Sequence, residues 1–177
     1  MPITLDGTTG VTFPSGAVGN SALTSGTAVA STSGTSIDFT SIPSWVKRIT
    51  VMFNAVSTNG TSHVIVQLGA GSVTTTGYTS NSYYIINGGT VVTTSYTAGF
   101  GTAPYGGAAD NRTSVMTINL IGSNAWVCAS TGINAVNTTC IGSAGSITLS
   151  GTLDRVRITT VNGTDTFDTG TVNILYE

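Results

Sequence analysis

The chain has 177 residues, a net charge of −2 and 7% charged side chains, where about 25% is usual in a globular domain. Its five cations (Lys47, Arg48, Arg112, Arg155 and Arg157) are too few and too scattered to grip a phosphate backbone, which argues against a nucleic-acid partner. No apolar run nears the ~20 residues of a membrane helix, and the opening MPITLDGTTG has neither the basic nor the apolar region of a signal peptide. Synthesis in the cytoplasm without membrane insertion is therefore expected.

The length suits one domain that can bury a core without staples. Thr (34), Gly (23) and Ser (20) dominate, against 7 Leu, one Lys and one Glu. Helix interiors want Ala, Leu, Glu, Lys and Arg. Strands want β-branched and aromatic residues, and turns want Gly, Asn and Ser. The expected fold class is all-β: an antiparallel β-sandwich, jelly-roll-like, of nine or ten strands, with a short extended N-terminal arm. A hydroxyl-rich surface with so little charge is weakly protected against association. Coverage of much of the surface by partner subunits is one expectation from this, and a rigid, protease-resistant extracellular shell fits equally well.

In chain order, residues 1–31 form the expected arm, for docking or oligomerisation, and 32–177 the sandwich. Within the arm Ile3, Leu5, Val11 and Phe13 alternate around Gly-rich turns. Strands this short need neighbours; in a trimer three arms could wrap a threefold axis with these four side chains inward, and a disordered or strand-exchanged N-terminal tail is the other reading. Ile37 and Phe39 start a short strand. Ile49, Val51, Phe53 and Ala55 then alternate with Arg48, Thr50, Met52 and Asn54, and after a Ser-Thr-Asn-Gly-Thr break Val64, Val66 and Leu68 alternate with His63, Ile65 and Gln67. Period two around a turn predicts an antiparallel hairpin with one buried face. Residues 69–81 read as a loop. Residues 83–86 and 91–94 predict a second hairpin across Asn87-Gly88-Gly89.

The stretch 97–113 has no periodicity, and long irregular loops are usually functional or interfacial. Strands are predicted at 114–121, 125–130, 146–149 and 153–160, the last with Val156 and Ile158 inward and Arg155 and Arg157 outward. The final TVNILYE reads as a strand stitched into the sheet, with Val172, Ile174 and Tyr176 on one face.

The chemical candidates are thin. Cys128 and Cys140 read as buried or half-buried thiols in neighbouring strands, with a cross-hairpin disulfide as the other option. Two Cys and the single His63 fall short of a structural zinc site, and no cofactor is expected. His63 has no nucleophile elbow to serve, and Asp165 and Asp168 sit in a turn-like TDTFDTG, so no enzyme is expected. Glycan binding needs aromatics beside Asn, Asp or Thr. Tyr78, Tyr83, Tyr96, Phe100, Tyr105 and Trp126 are the candidates, with the 97–113 loop as the best contact surface. Trp45 reads instead as a plug at the end of the sandwich.

Residues 26–69 resemble a module of tailed bacteriophages. The matching pieces are GTAVAS and SGTSIDFTSIPSWVKRITVMFNAVSTNGTSHVIVQLG, with Ile-Pro-Ser-Trp-Val-Lys-Arg-Ile-Thr at 42–50 the most specific. The opening ITLDGTTGVTFPSG is similar to linkers of phage tail-fibre proteins, and FDTGTVNILYE to the ends of such modules. The resemblance implies a β-sandwich on the virion surface, usually trimeric, in tail fibres or spikes, with a role in host attachment. Its partners would be other virion proteins of the tail or capsid and a host cell-surface glycan or protein. Fibre proteins usually carry a shaft upstream, whereas this chain starts at the linker-like piece. A capsid decoration or head-fibre protein docking through its arm is thus the alternative, and a stand-alone carbohydrate-binding lectin domain a third.

Overall fold

The computed structural model describes residues 23–86, 88–104, 106–136 and 139–177, and the backbone of 4–6 and 10–12. The protein is all-β, with two antiparallel sheets packed face to face. The larger runs in the order β10 (Val91–Tyr96), β9 (Thr79–Ile85), β14 (Thr139–Thr148), β13 (Ala125–Asn134), β12 (Arg112–Gly122), β6 (Arg48–Thr58) and β16 (Phe167–Tyr176). The short β3 (Thr24–Ser25) and β4 (Val29–Ala30) both pair with the far edge of β16. The smaller sheet runs β11 (Phe100–Gly101), β7 (Val64–Ala70), β15 (Arg155–Thr160) and β5 (Ser36–Thr40), with β8 (Ser72–Val73) folded back on β7. The chain crosses between the sheets repeatedly, as a jelly-roll-like wrapping requires. A separate ribbon joins β1 (Thr4–Asp6) to β2 (Gly10–Thr12).

The two alternating runs at 48–58 and 64–70 do not form the expected hairpin. β6 pairs with β12 and β16 in the larger sheet, and β7 with β11 and β15 in the smaller. Ile49, Val51 and Phe53 meet Val64, Val66 and Leu68 in one core cluster, coming from opposite sheets. The cause lies in β7. Ile65 and Gln67, on its other face, are buried as well, because the segment after β10 packs over them and the Gln67 Nε2 donates to Ala98 O at 2.8 Å. β7 is an inner strand of its sheet, paired with β11 and β15 along its two edges and covered on both faces. Ile37, Phe39, Val156, Ile158, Met116, Ile118, Val172 and Ile174 belong to the same cluster, each worth roughly 1.5–3 kcal/mol of apolar burial.

Several expected features hold. β9 and β10 pair as the second hairpin, Ile85 opposite Val91. β12 and β13 join through Ser123 and Asn124, both at positive φ (47° and 62°), the geometry of the two-residue turn that matches strand twist. Val156 and Ile158 point into the core while Arg157 reaches Asp38 outside, through bonds of 2.7 and 3.0 Å. Trp45 packs on the core edge against Tyr176, ring centroids 6.0 Å apart.

Other boundaries shift. β3 and β4 lie within the 1–31 stretch expected to be an arm, yet pairing with β16 makes them part of the sandwich. Leu5 and Val11 are register partners in the β1–β2 ribbon, while Ile3 and Phe13 lie outside the described residues. Residues 131–134 and 139–145 are strand where no strand was expected.

A bulge in β6 places Ala55 at φ 55°, and Gly170 of β16 sits against it at φ 101°. A Cβ on Gly170 would fall 2.4 Å from Ala55 O. Gly170→Ala should therefore lower stability by more than the ~1–3 kcal/mol of backbone strain alone. Gly163, at φ 68° with nothing within 4 Å of a Cβ, is the control that isolates strain from clash. Equal losses in urea titrations of the two variants would remove the clash from the account.

Candidate functional site

The aperiodic stretch 97–113 is mostly interior. Phe100, Ala103, Asp110 and Arg112 are buried, and Thr102 Oγ1 donates to Val64 O at 2.9 Å. The stretch acts as a plug, with exposed positions at Ala108 and Ala109 near its tip. Beneath it lies the densest polar cluster. Asp110 accepts from Gly107 N at 2.6 Å and from Asn134 Nδ2 at 2.9 Å, and Arg112 Nη2 lies 3.6 Å from its carboxylate. Beside it, Tyr96 Oη accepts from Ser82 Oγ at 3.2 Å and stands 2.9 Å from His63 Nδ1. These bonds tie β10, β9 and the start of β7 to the plug.

His63 is half-buried and stands immediately before β7. Burial pulls its pKa below the usual 6.5, the Arg112 charge adds to that, and Asp110 opposes it. The sign follows from linkage. With the folded value depressed, the unfolded chain binds the proton more readily, so stability is complete above pH 6.5 and is lost as pH falls through the folded value. Thermal melts should show Tm declining as pH falls below 6.5, before the titration of Asp154 and Asp165, which neighbouring hydrogen bonds hold below the ordinary 3.8. His63→Gln should flatten that decline. An unchanged slope would show that His63 is not its source.

The expected sugar-stacking aromatics fare differently from expectation. Tyr78, Tyr96, Phe100 and Trp126 are all 5% exposed or less. The Tyr78 hydroxyl accepts from Leu68 N at 2.7 Å, and the Tyr78 ring meets Phe100 edge-on at 5.1 Å. Desolvation pushes the Tyr78 hydroxyl up to about 12. These four rings are core, with too little exposed area to serve as stacking platforms. Tyr105 lies outside the described residues. Among the described members of the set, Tyr83 alone is exposed, at 41%.

Tyr83 sits on the outer face of the larger sheet. Thr93 of β10 and Gly142 of β14 are its cross-strand partners. A Cβ on Gly142 would fall 2.6 Å from Tyr83 Cζ and Oη, so the ring leans across the space that the glycine leaves, with its other side toward solvent. Two residues along β9, Asn81 Nδ2 donates to Ser95 Oγ at 3.1 Å. A shallow depression of about 520 Å³ opens there, lined by Thr79, Asn81, Ser95, Thr97, Ala144 and Ser146 together with Tyr78 and Tyr96; Tyr83 stands next to it on β9 and is not part of its lining. On the opposite side of Tyr83 runs an apolar row of direct register partners, Val91, Ile85, Cys140 and Ile133, with all four exposed. β9, β10, β13 and β14 carry no charged residue at all.

No protein-family model and no curated protein matches the chain. What the outer face can do must come from its own chemistry: hydroxyls, one oriented amide, one exposed ring, and neither a carboxylate nor a cation on these four strands. Both cysteines are free. Cys128 is buried, its thiol pushed up to about 12 by desolvation, and Cys140 is exposed on the outer face. Asp165 shows turn chemistry, accepting from Ser62 N at 2.8 Å and Asn162 Nδ2 at 2.6 Å. Among the described residues no three His, Cys, Asp or Glu side chains come together as a metal site. Asn81, Ser95 and Ala144 had no signal in the sequence, because their juxtaposition depends on the β10–β9–β14 register.

Proposed function

We propose that the chain is a non-enzymatic surface domain of a tailed-phage particle, of the fibre or spike type, and that it serves attachment to a host cell. The observation that carries this reading is the broad outer face of the larger sheet, free of charge over four adjacent strands and bearing an exposed ring and hydroxyl-lined depression. It supports adhesion because neutral polar groups cost less to desolvate than charged ones when the partner returns their hydrogen bonds. The resemblance centred on IPSWVKRIT adds the virion. Trp45 within that segment packs on Tyr176 against the core, so the segment marks the scaffold rather than the contact. Assembly as a homotrimer is part of the same proposal.

Intact host bacteria incubated with the purified full-length chain should retain it on pelleting, and the bound protein should block adsorption of the particle. Absence of both effects would refute attachment. The β1–β2 ribbon, paired separately from both sandwich sheets, favours a second reading: docking on the capsid shell through the N-terminal residues. Co-sedimentation of the chain with empty, tailless heads, lost on deletion of residues 1–22, is the result that would support decoration.

A further inference from the structure

We infer that the depression beside Tyr83 binds an uncharged pyranose ring, stacked on the tyrosine and hydrogen-bonded by Asn81 and Ser95. This rests on the attachment reading and names the ligand class of that face.

The platform is rigid before any ligand arrives. Tyr83 occupies a strand interior with partners on both sides, Thr93 and Gly142. The contact that a Gly142 Cβ would make with Cζ and Oη shows how closely the ring approaches that backbone. A ring held in this way loses little freedom when a sugar's C–H face settles on it, and an aromatic face is the surface such C–H groups seek. Thr131, the next residue across from Gly142, is a small polar neighbour that leaves the platform open.

The polar side is oriented too. Because Asn81 Nδ2 donates to Ser95 Oγ, the Asn81 side-chain oxygen is turned away as an acceptor, and the Ser95 hydroxyl keeps its hydrogen to donate. One acceptor and one donor side by side suit vicinal hydroxyls, which offer both. Thr79 and Ser146, partners across β9 and β14, add two more hydroxyls at the far wall, and Ala144 keeps the floor low. The absence of charge from β9, β10, β13 and β14 selects against sialic or uronic acids and phosphorylated sugars, since nothing on these strands would pair with an anion. It also means binding without cleavage, because glycoside hydrolysis needs a pair of flanking carboxyl groups.

The test is a titration of the isotope-labelled full-length chain with the methyl glycosides of glucose, galactose, mannose and N-acetylglucosamine, followed by amide chemical shifts. At least one should shift residues of β9, β10 and β14 around Tyr83 and Asn81. Tyr83→Ala should weaken that binding about tenfold or more, Tyr83→Phe should retain it, and Asn81→Ala should weaken it without altering the melt. No shifts with any of the four, shifts mapping elsewhere, or Tyr83→Ala binding as wild type does would overturn the site. The two readings fail separately. Cell binding that survives Tyr83→Ala removes this site and leaves attachment standing, whereas glycoside binding by a chain that ignores bacteria keeps the site and removes attachment.

Discussion

Asp110→Ala should cost about 3–5 kcal/mol of stability, the range for removing one partner of a buried ion pair. Asp110 and Arg112 are each 2% exposed. The carboxylate does two jobs that no alanine replaces. It offsets the Arg112 charge, which burial disfavours, and it holds the plug in place through Gly107 N and Asn134 Nδ2. Asn134 in turn accepts from Asn111 N and Val136 N, so the loss should spread to the end of the β13 strand. The double variant Asp110→Ala/Arg112→Met should recover part of the loss, because a thioether of similar length needs no counter-charge. Chemical denaturation of the three proteins measures this directly. A single variant within about 1 kcal/mol of wild type would mean that the pair is not what anchors the plug.

Deleting residues 173–177 should abolish the folded state. Asn173, Ile174, Leu175 and Tyr176 pair with Met52, Val51, Thr50 and Ile49 of β6, and β3 pairs on the other side of β16. Ile174 is core. Glu177 O accepts from Lys47 N at 2.7 Å and Arg48 N at 2.9 Å, and its side chain pairs with Arg48. Taken together, one buried Ile at roughly 1.5–3 kcal/mol and several hydrogen bonds near 1 kcal/mol each approach the ~5–15 kcal/mol that holds a domain folded. Far-UV circular dichroism of the truncated chain should lose its β signal, or the protein should be insoluble. A soluble product with an unchanged Tm would sink the claim.

What the sequence showed and hid has a physical pattern. Strands whose large apolar residues alternate were visible: Ile49, Val51 and Phe53 in β6, Val156 and Ile158 in β15, Val172 and Ile174 in β16. Sheet membership was not. The break at 57–61 reads the same whether the chain turns back within one sheet or crosses to the other, and only the burial of Ile65 and Gln67 on the far face of β7 decides it. The later part of β13 and the earlier part of β14 were invisible because small residues do the packing there. A Cβ on Gly132 would lie 2.3 Å from Ser114 Cβ, and Ser130 and Ser143 meet Oγ to Oγ at 2.7 Å. Glycine in a strand that marks close approach looks, in sequence, like a turn.

The candidate site was half visible for related reasons. Aromatics could be nominated, but an aromatic residue in a β protein gives no sign of which face it takes. Tyr78, Tyr96, Phe100 and Trp126 went inward. Tyr83 went outward because Ser80 and Ser82 take the buried positions of β9. Asn81 and Ser95 become a pair only once the β9–β10 register sets them opposite each other. The aperiodic 97–113 stretch looked like an exposed contact loop because its buried groups are held by polar bonds and single glycines, which leave no periodic trace. Gly101 is one such position, where a Cβ would strike the Tyr96 ring at 2.2 Å.

Placement on a phage particle is the central claim, and labelling purified particles with gold-conjugated antibody to the sandwich, viewed by electron microscopy, tests it most directly. The account predicts gold at the tail fibres or tail tip. Label on the capsid would move the protein to the decoration reading, and purified particles carrying no label and no copy of the chain would contradict the account.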